Sequence, residues 1–137
     1  MNPYEITRVK LITLVKEFHD TYYPTMEVNY PKAWRTDVEH SVNPFVGVEI
    51  TWESRTMGLN PRRDLRVSGA LVLNHYARAG KGEKLFLDYS DLVYTYFGYK
   101  NLSGINFYSV VPYPNTGKPG FDGTMNYLTF DTDFFNI

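Results

Sequence analysis

Residues 46–82, VGVEITWESRTMGLNPRRDLRVSGALVLNHYARAGKG, predict two long β-strands joined by a loop that carries arginines. Apolar and polar residues alternate over 46–52, which is typical of a strand with one buried face. The return strand, predicted over 65–76, alternates in the same way, and residues 58–61 (GLNP) supply the turn. Twelve residues of strand would span about 40 Å. The ribbon is therefore predicted either to cross a barrel-like sheet or to extend beyond its own domain.

Two amphipathic helices are predicted, one on each side of this ribbon. The first begins with Asn2 as cap, Pro3 in the first turn and Glu5 three residues after the cap, and it should end around residues 19–23. Its predicted apolar stripe is Ile6, Val9, Leu11, Ile12, Leu14, Val15 and Phe18. The second helix is predicted to follow Gly80-Lys81-Gly82 and to end before Gly98, with Leu85, Tyr89, Leu92, Val93 and Tyr96 as its stripe.

Short strands are predicted over residues 26–29, 105–111 and 124–134, with loops over 32–44 and 115–123. The resulting order is α-β-(β-β hairpin)-α-β-β. Such an order favours an α+β fold, in which two helices pack on one face of a mainly antiparallel sheet that contains the long hairpin. The 137 residues are predicted to form one domain.

Composition excludes several classes of function. The chain has 14 basic and 15 acidic residues, so it lacks the cationic surplus that gripping nucleic acid through phosphates requires. It has no Cys, which excludes disulfides, thiolate metal sites and thiol nucleophiles. No run approaches the roughly 18 apolar residues of a membrane span, and the first ten residues do not resemble a signal peptide. A soluble protein made in a cytoplasm is expected.

No catalytic or cofactor motif is evident. The histidines His19, His40 and His75 lack metal-ligand spacing, and no nucleophile elbow or phosphate-binding motif is present. Asp131 and Asp133 share a strand face that is predicted to be solvent-exposed. We therefore expect no enzymatic activity, no cofactor and no metal. The alternative is a cone-shaped ligand-binding or isomerase domain with a pocket formed by Tyr22, His75, Asp88 and Tyr108.

The order of segments resembles one family over residues 4–134. An amphipathic helix leads to VNYPKAW, the long hairpin ends in ARAGKG, the helix EKLFLDYSDLVYTYF follows, and GFDGT precedes the final strand MNYLTFDTDFF. This order is similar to that of the tail terminator proteins of long-tailed bacteriophages, also called minor tail or tail-completion proteins. That family has no diagnostic residue motif, and the loop at 32–44 is longer than its pattern. Head-completion and neck proteins are therefore the neighbouring alternative.

The resemblance implies a structural virion protein without an active site. Tail terminators form a ring, usually a homohexamer, on the last ring of tail-tube protein, where they stop tube polymerisation and present a surface for head-connector attachment. The implied location is the head-proximal end of the tail in the virion, after assembly in the host cytoplasm. DNA would pass through the channel without specific binding, and no membrane is involved.

Five residues are predicted to lie at protein interfaces. Arg55, Arg62 and Arg63 lie near the tip of the ribbon, where guanidinium groups suit pairing with carboxylates of a protein partner. Phe134 and Phe135 belong to an aromatic carboxyl terminus, which we expect to be covered by the protein's own sheet or by a neighbouring subunit.

Overall fold

The computed structural model of the protein describes residues 2–30, 43–53, 56–57, 64–80, 82–115, 119–133 and 135–136. Its elements are, in chain order, α1 (Pro3–Tyr22), β1 (Glu27–Asn29), β2 (Phe45–Trp52), β3 (Thr56–Met57), β4 (Asp64–Arg66), β5 (Ser68–Arg78), α2 (Glu83–Phe97), β6 (Asn101–Leu102), β7 (Ile105–Pro114), β8 (Phe121–Thr132) and β9 (Phe135–Asn136). Neither helix in these ranges is long and apolar enough to cross a membrane.

The main sheet has six strands in the order β1-β2-β5-β8-β7-β6. The two ribbon strands pair from Phe45 opposite Tyr76 to Trp52 opposite Gly69. On its other side β5 pairs with β8 along its whole length. Every pairing is antiparallel except that of β1 with β2. The predicted α+β class is therefore confirmed.

The predicted ribbon crosses the middle of this sheet. Beyond the main sheet its strands continue as β3 and β4, which join β9 in a small three-stranded sheet. Leu65 of β4 lies opposite Phe135 of β9, so the carboxyl end is held beside the base of the ribbon. The predicted turn at 58–61 lies outside the described residues.

Both helices pack on one face of the main sheet. Asn2 caps α1 as predicted, because its side chain accepts a hydrogen bond from the Glu5 backbone N–H at 2.9 Å. The helices share one core with the sheet residues that point toward them. The buried apolar side chains of the helices in this core are Leu11, Leu14, Val15 and Phe18 of α1 and Tyr89, Val93 and Phe97 of α2.

The predicted stripe of α2 is partly wrong. Tyr89 and Val93 are buried as predicted, but Leu85 is 43% exposed. Phe86 and Phe97 take the remaining buried positions. The helix is thus rotated about its axis relative to the prediction, so that Phe97 packs edge-on against Phe107 of β7 at a centroid distance of 5.1 Å.

The prediction that each ribbon strand has only one buried face is wrong for β5. Leu71 and Leu73 point to the helices and are fully buried, but Ala70, Val72 and Asn74 on the opposite face are buried too. A second apolar cluster lies on that face, where Tyr76 packs against Phe45 at a centroid distance of 5.2 Å and Phe45 packs against Phe121 at 5.5 Å.

Candidate functional site

Most of the predicted interface residues lie outside the described part of the chain. These residues are Arg55, Arg62, Arg63 and Phe134. His40, one of the three histidines considered for a metal site, also lies outside it. Phe135 is described, is half-buried, and packs against the main core. That placement gives the aromatic carboxyl terminus a contact with the protein's own sheet.

A polar network fixes the base of the ribbon to the sheet. The Arg66 Nη2 lies 2.9 Å from Asp131 Oδ2, and Arg66 Nε donates to the Thr132 carbonyl at 2.9 Å. The Tyr108 hydroxyl donates to Asp131 Oδ2 at 2.6 Å, and this bond raises the pKa of Tyr108. The Asn106 side chain donates to Asp131 Oδ1 at 3.0 Å. The prediction that Asp131 faces solvent is therefore wrong, because Asp131 is half-buried and its carboxylate accepts hydrogen bonds from Arg66, Asn106 and Tyr108. Asp133 is exposed as predicted.

Replacing Arg66 with Ala is expected to lower the free energy of unfolding by about 1.5 kcal/mol, because it removes a charge-assisted pair and a bond to a backbone carbonyl. Urea denaturation measures the change. Lys84→Ala is the matched control, since its pair with Asp88 at 2.8 Å is exposed and should contribute little. Equal effects of the two substitutions would contradict the anchoring role of Arg66.

The outer strand of the sheet next to α2 has an open edge. One side of β7 pairs with β8. On the other side, β6 pairs with Ile105 and Asn106, and the backbone of Tyr99 and Lys100 bonds to Tyr108 and Phe107. In the described ranges no strand pairs with residues 109–114 on that side. Pro112 and Pro114 lie in this stretch, and proline without an N–H suits an edge position. The strand thus continues to Pro114, beyond its predicted end at 111.

Exposed apolar side chains surround this open edge, and we call them the edge surface: Leu87, Tyr94, Tyr99, Tyr108 and Tyr113. Leu87 and Tyr94 lie two turns apart on α2 and are 63% and 52% exposed. The Tyr94 and Tyr99 rings lie 6.5 Å apart, and Tyr99 is hydrogen-bonded through its backbone to Tyr108. Leu87 and Tyr113 line the same cleft. The edge surface thus comprises residues of α2, of the turn after it and of β7.

Beneath α2 lies a buried pair of histidines with a tyrosine between them. His19 Nδ1 lies 2.8 Å from the Val15 carbonyl and therefore carries the proton. His19 Nε2 must then accept from the Tyr89 hydroxyl at 2.9 Å. Burial lowers the pKa of His19 and raises that of Tyr89 well above its usual value. Both groups are therefore neutral at physiological pH.

His75 lies on the other side of Tyr89, with ring centroids 4.4 Å apart. Its ring also meets Phe86 edge-on at 5.1 Å. Burial, together with a smaller effect of the charge on His19, lowers the pKa of His75 to about 4. Across the described residues, neither His75 nitrogen has a hydrogen-bond partner, and the same holds for the side chains of Asn126 and Ser90. No three His, Cys, Asp or Glu side chains in those ranges form a group that could hold a metal ion.

The four residues of the alternative pocket have separate surroundings. Tyr22 packs on Phe18, Asp88 pairs with Lys84, and Tyr108 bonds to Asp131. His75 is buried beneath α2 instead. Sequence reasoning did not anticipate the edge surface or Asn126. The repeated prolines of residues 112–114 (PYP) were a usable signal for an edge strand, whereas Asn126 sits in an ordinary alternation.

No family model matches the chain, and no curated protein matches it. Among solved structures, a protein whose name carries no functional information aligns over 100% of both chains, with a TM-score of 0.67 and 15% identity. At that identity the likeness concerns the fold alone.

Proposed function

We propose that the protein is a structural subunit of a bacteriophage tail. Copies of it close into a ring on the end of the tail tube, stop tube growth and present a surface to the head connector. The proposal rests on the resemblance of the segment order to tail terminators and on one structural observation, the edge surface.

The edge surface has the chemistry of a protein contact. Pro112 and Pro114 lack an N–H and so protect this open edge from pairing with another strand. A partner would therefore contact the edge through side chains. Here the edge at 109–114 is flanked by exposed tyrosines, and Tyr113 is 46% exposed. Tyr is enriched at interfaces because its ring buries apolar area while its hydroxyl stays hydrogen-bonded. A neighbouring copy that covers this edge would bury the exposed apolar area of these tyrosines.

Ring closure requires that the edge surface contact a different part of the next copy. A head-to-tail contact with a suitable rotation closes into a ring, whereas contact between two identical surfaces stops at a dimer. Arg55, Arg62 and Arg63 lie outside the described residues, and in this arrangement they would pair with acidic groups of the adjoining copy or of the tube protein. The proposed partners are therefore the protein itself, the tail-tube protein and a connector protein.

The test is assembly with the tail-tube protein of the same phage, followed by native mass measurement and negative-stain microscopy. The wild-type protein is expected to form rings that cap the tubes and limit their length. Tyr113→Asp places a charge at the edge surface and should abolish the rings, while the monomer keeps its melting temperature because the site is exposed in the monomer.

Thr25→Asp, in the exposed turn between α1 and β1, is the matched control and should assemble normally. Tubes that keep growing in the presence of the protein would overturn the terminator role. Binding to the connector without capping the tube would assign the protein to the neck instead. A dimer as the largest assembly on the tail end would contradict a ring.

A further inference from the structure

A cleft opens between α2 and the paired ends of β7 and β8. Its volume is about 330 Å³, at the small end of the range for ligand sites. Phe86 and Leu87 of α2 form one wall, and Pro112 and Pro114 of β7 form the other. Thr124 of β8 contributes to the floor. The walls are thus apolar and aromatic.

Polar side chains that have no hydrogen-bond partner among the described residues lie in the lining of this cleft or directly behind it. Asn126 is fully buried, lies opposite Pro112, and is two residues from Thr124 on the same face of β8. His75 is 1% exposed and lies opposite Thr124 on the neighbouring strand. This register makes Asn126 and His75 diagonal neighbours, with Cα atoms about 7–8 Å apart. Ser90, which lines the cleft from α2, has a buried hydroxyl.

Leaving such groups without partners is costly. A buried amide or imidazole that makes no hydrogen bond loses its hydration without compensation, so native proteins rarely keep one. Here the side chains of His75, Asn126 and Ser90 lack partners throughout the described ranges. Ser90 lines the cleft, whereas Asn126 and His75 lie one strand position behind its lining, opposite Pro112 and Thr124. Their coincidence indicates a ligand that supplies the missing bonds.

The charges around the cleft restrict the ligand. Asp91 is the charged residue among the lining residues that the structure describes, and a carboxylate disfavours an anion. The base offers neutral groups that both donate and accept. Apolar walls favour an apolar or aromatic body.

We infer that this cleft binds a small uncharged molecule, with an apolar body between α2 and β7 and an amide or hydroxyl group that hydrogen-bonds to Asn126, Ser90 and His75. The inference is independent of the proposed ring. Benzamide is a suitable probe, because it joins an aromatic ring to a group that donates and accepts. Benzoate has the same shape with a negative charge, and toluene has the ring without the polar group.

The test is titration of the isotope-labelled full chain followed by NMR. Benzamide is expected to shift the Ser90 and Thr124 backbone signals and the Asn126 side-chain amide saturably, and to bind about tenfold more tightly than benzoate or toluene. Asn126→Leu should weaken benzamide binding about tenfold, the loss expected for a polar contact of about 1.4 kcal/mol. The same substitution should raise the melting temperature, because it removes an unsatisfied buried amide.

Asn29→Leu is the control, since the Asn29 side chain is also buried and has no hydrogen-bond partner among the described residues, but it lies on β1, away from the cleft. It should leave benzamide binding unchanged. If Asn126→Leu does not fold, Ser90→Ala supplies the second test and should weaken binding several-fold. The inference would be overturned if benzamide gave no saturable shifts, if toluene bound equally well, or if the substitutions left binding unchanged. A lowered melting temperature of folded Asn126→Leu would also overturn it, because the Asn126 amide would then have a structural partner.

Discussion

Replacing Phe18 with Ala is expected to lower the free energy of unfolding by about 4 kcal/mol. Phe18 is fully buried on α1 and joins the two helices through aromatic contacts. Its ring centroid lies within 6.2 Å of six others, those of His19, Tyr22, Tyr23, Tyr89, Tyr96 and Phe97. Rings on both helices surround the site, so it can collapse only in part, and a cavity adds to the lost transfer free energy.

Urea denaturation monitored by circular dichroism measures this loss. Val9→Ala is the matched control on the same helix, since Val9 is 44% exposed, and it should change stability by less than about 0.5 kcal/mol. Phe18→Leu should lie between the two, at about 1.5 kcal/mol. A loss below about 2 kcal/mol for Phe18→Ala would mean that the helices do not depend on this ring for their packing.

The sequence predicted those features that local chemistry determines. The start of α1 follows from Asn2, Pro3 and Glu5, whose capping role requires nothing outside the first turn. The ribbon strands follow from alternation, and their facing residues pair as the two stripes require. The α+β class then follows from the order of the elements.

Features that depend on distant neighbours were not predicted. In α2 the apolar residues are spread almost around the helix, so the sequence cannot distinguish a stripe through Leu85 from one through Phe86. The packing of Phe97 on Phe107 decides the rotation. Likewise, the Asp131 carboxylate is bonded to Arg66 and Tyr108, which lie far from it along the chain.

The residues of the candidate sites also differ in whether local sequence or the whole fold determines them. Arginines and phenylalanines were predicted at interfaces because their side-chain chemistry is evident without the fold: guanidinium groups pair with carboxylates, and aromatic rings favour burial. The edge surface exists only because β7 ends the pairing on its side of the sheet, and pairing is a property of the whole topology. Asn126 has no hydrogen-bond partner among the described residues, and this follows from its place in the sheet, which no local sequence pattern indicates.

Stability is expected to fall as the pH drops from about 6.5 to about 4, and His75 should account for about 3 kcal/mol of the fall. Burial, and to a lesser degree the charge on His19, lowers the pKa of His75 to about 4 in the folded protein. In the unfolded chain the pKa returns to its ordinary value near 6.5. Between these two values the unfolded state binds more protons, so each step toward acid favours unfolding.

His75→Phe isolates this contribution. Phe has a similar ring, can pack against Phe86 and Tyr89, and does not titrate. Wild-type and variant should both lose stability at low pH through His19, whose pKa burial lowers, but the wild-type protein should lose about 3 kcal/mol more. The measurement is the free energy of unfolding by urea at pH 4 and pH 8 for both proteins.

The difference between the two pH profiles decides the origin of the effect. A charged His75 would lie between the rings of Phe86 and Tyr89, and none of the described carboxylates bonds to it. Protonation must therefore either expose the ring or unfold the region beneath α2. Parallel profiles for wild-type and His75→Phe would show that His75 binds its proton equally well in both states. In that case the buried imidazole must have a polar partner in solution, and the cleft behind Phe86 is where such a partner would enter.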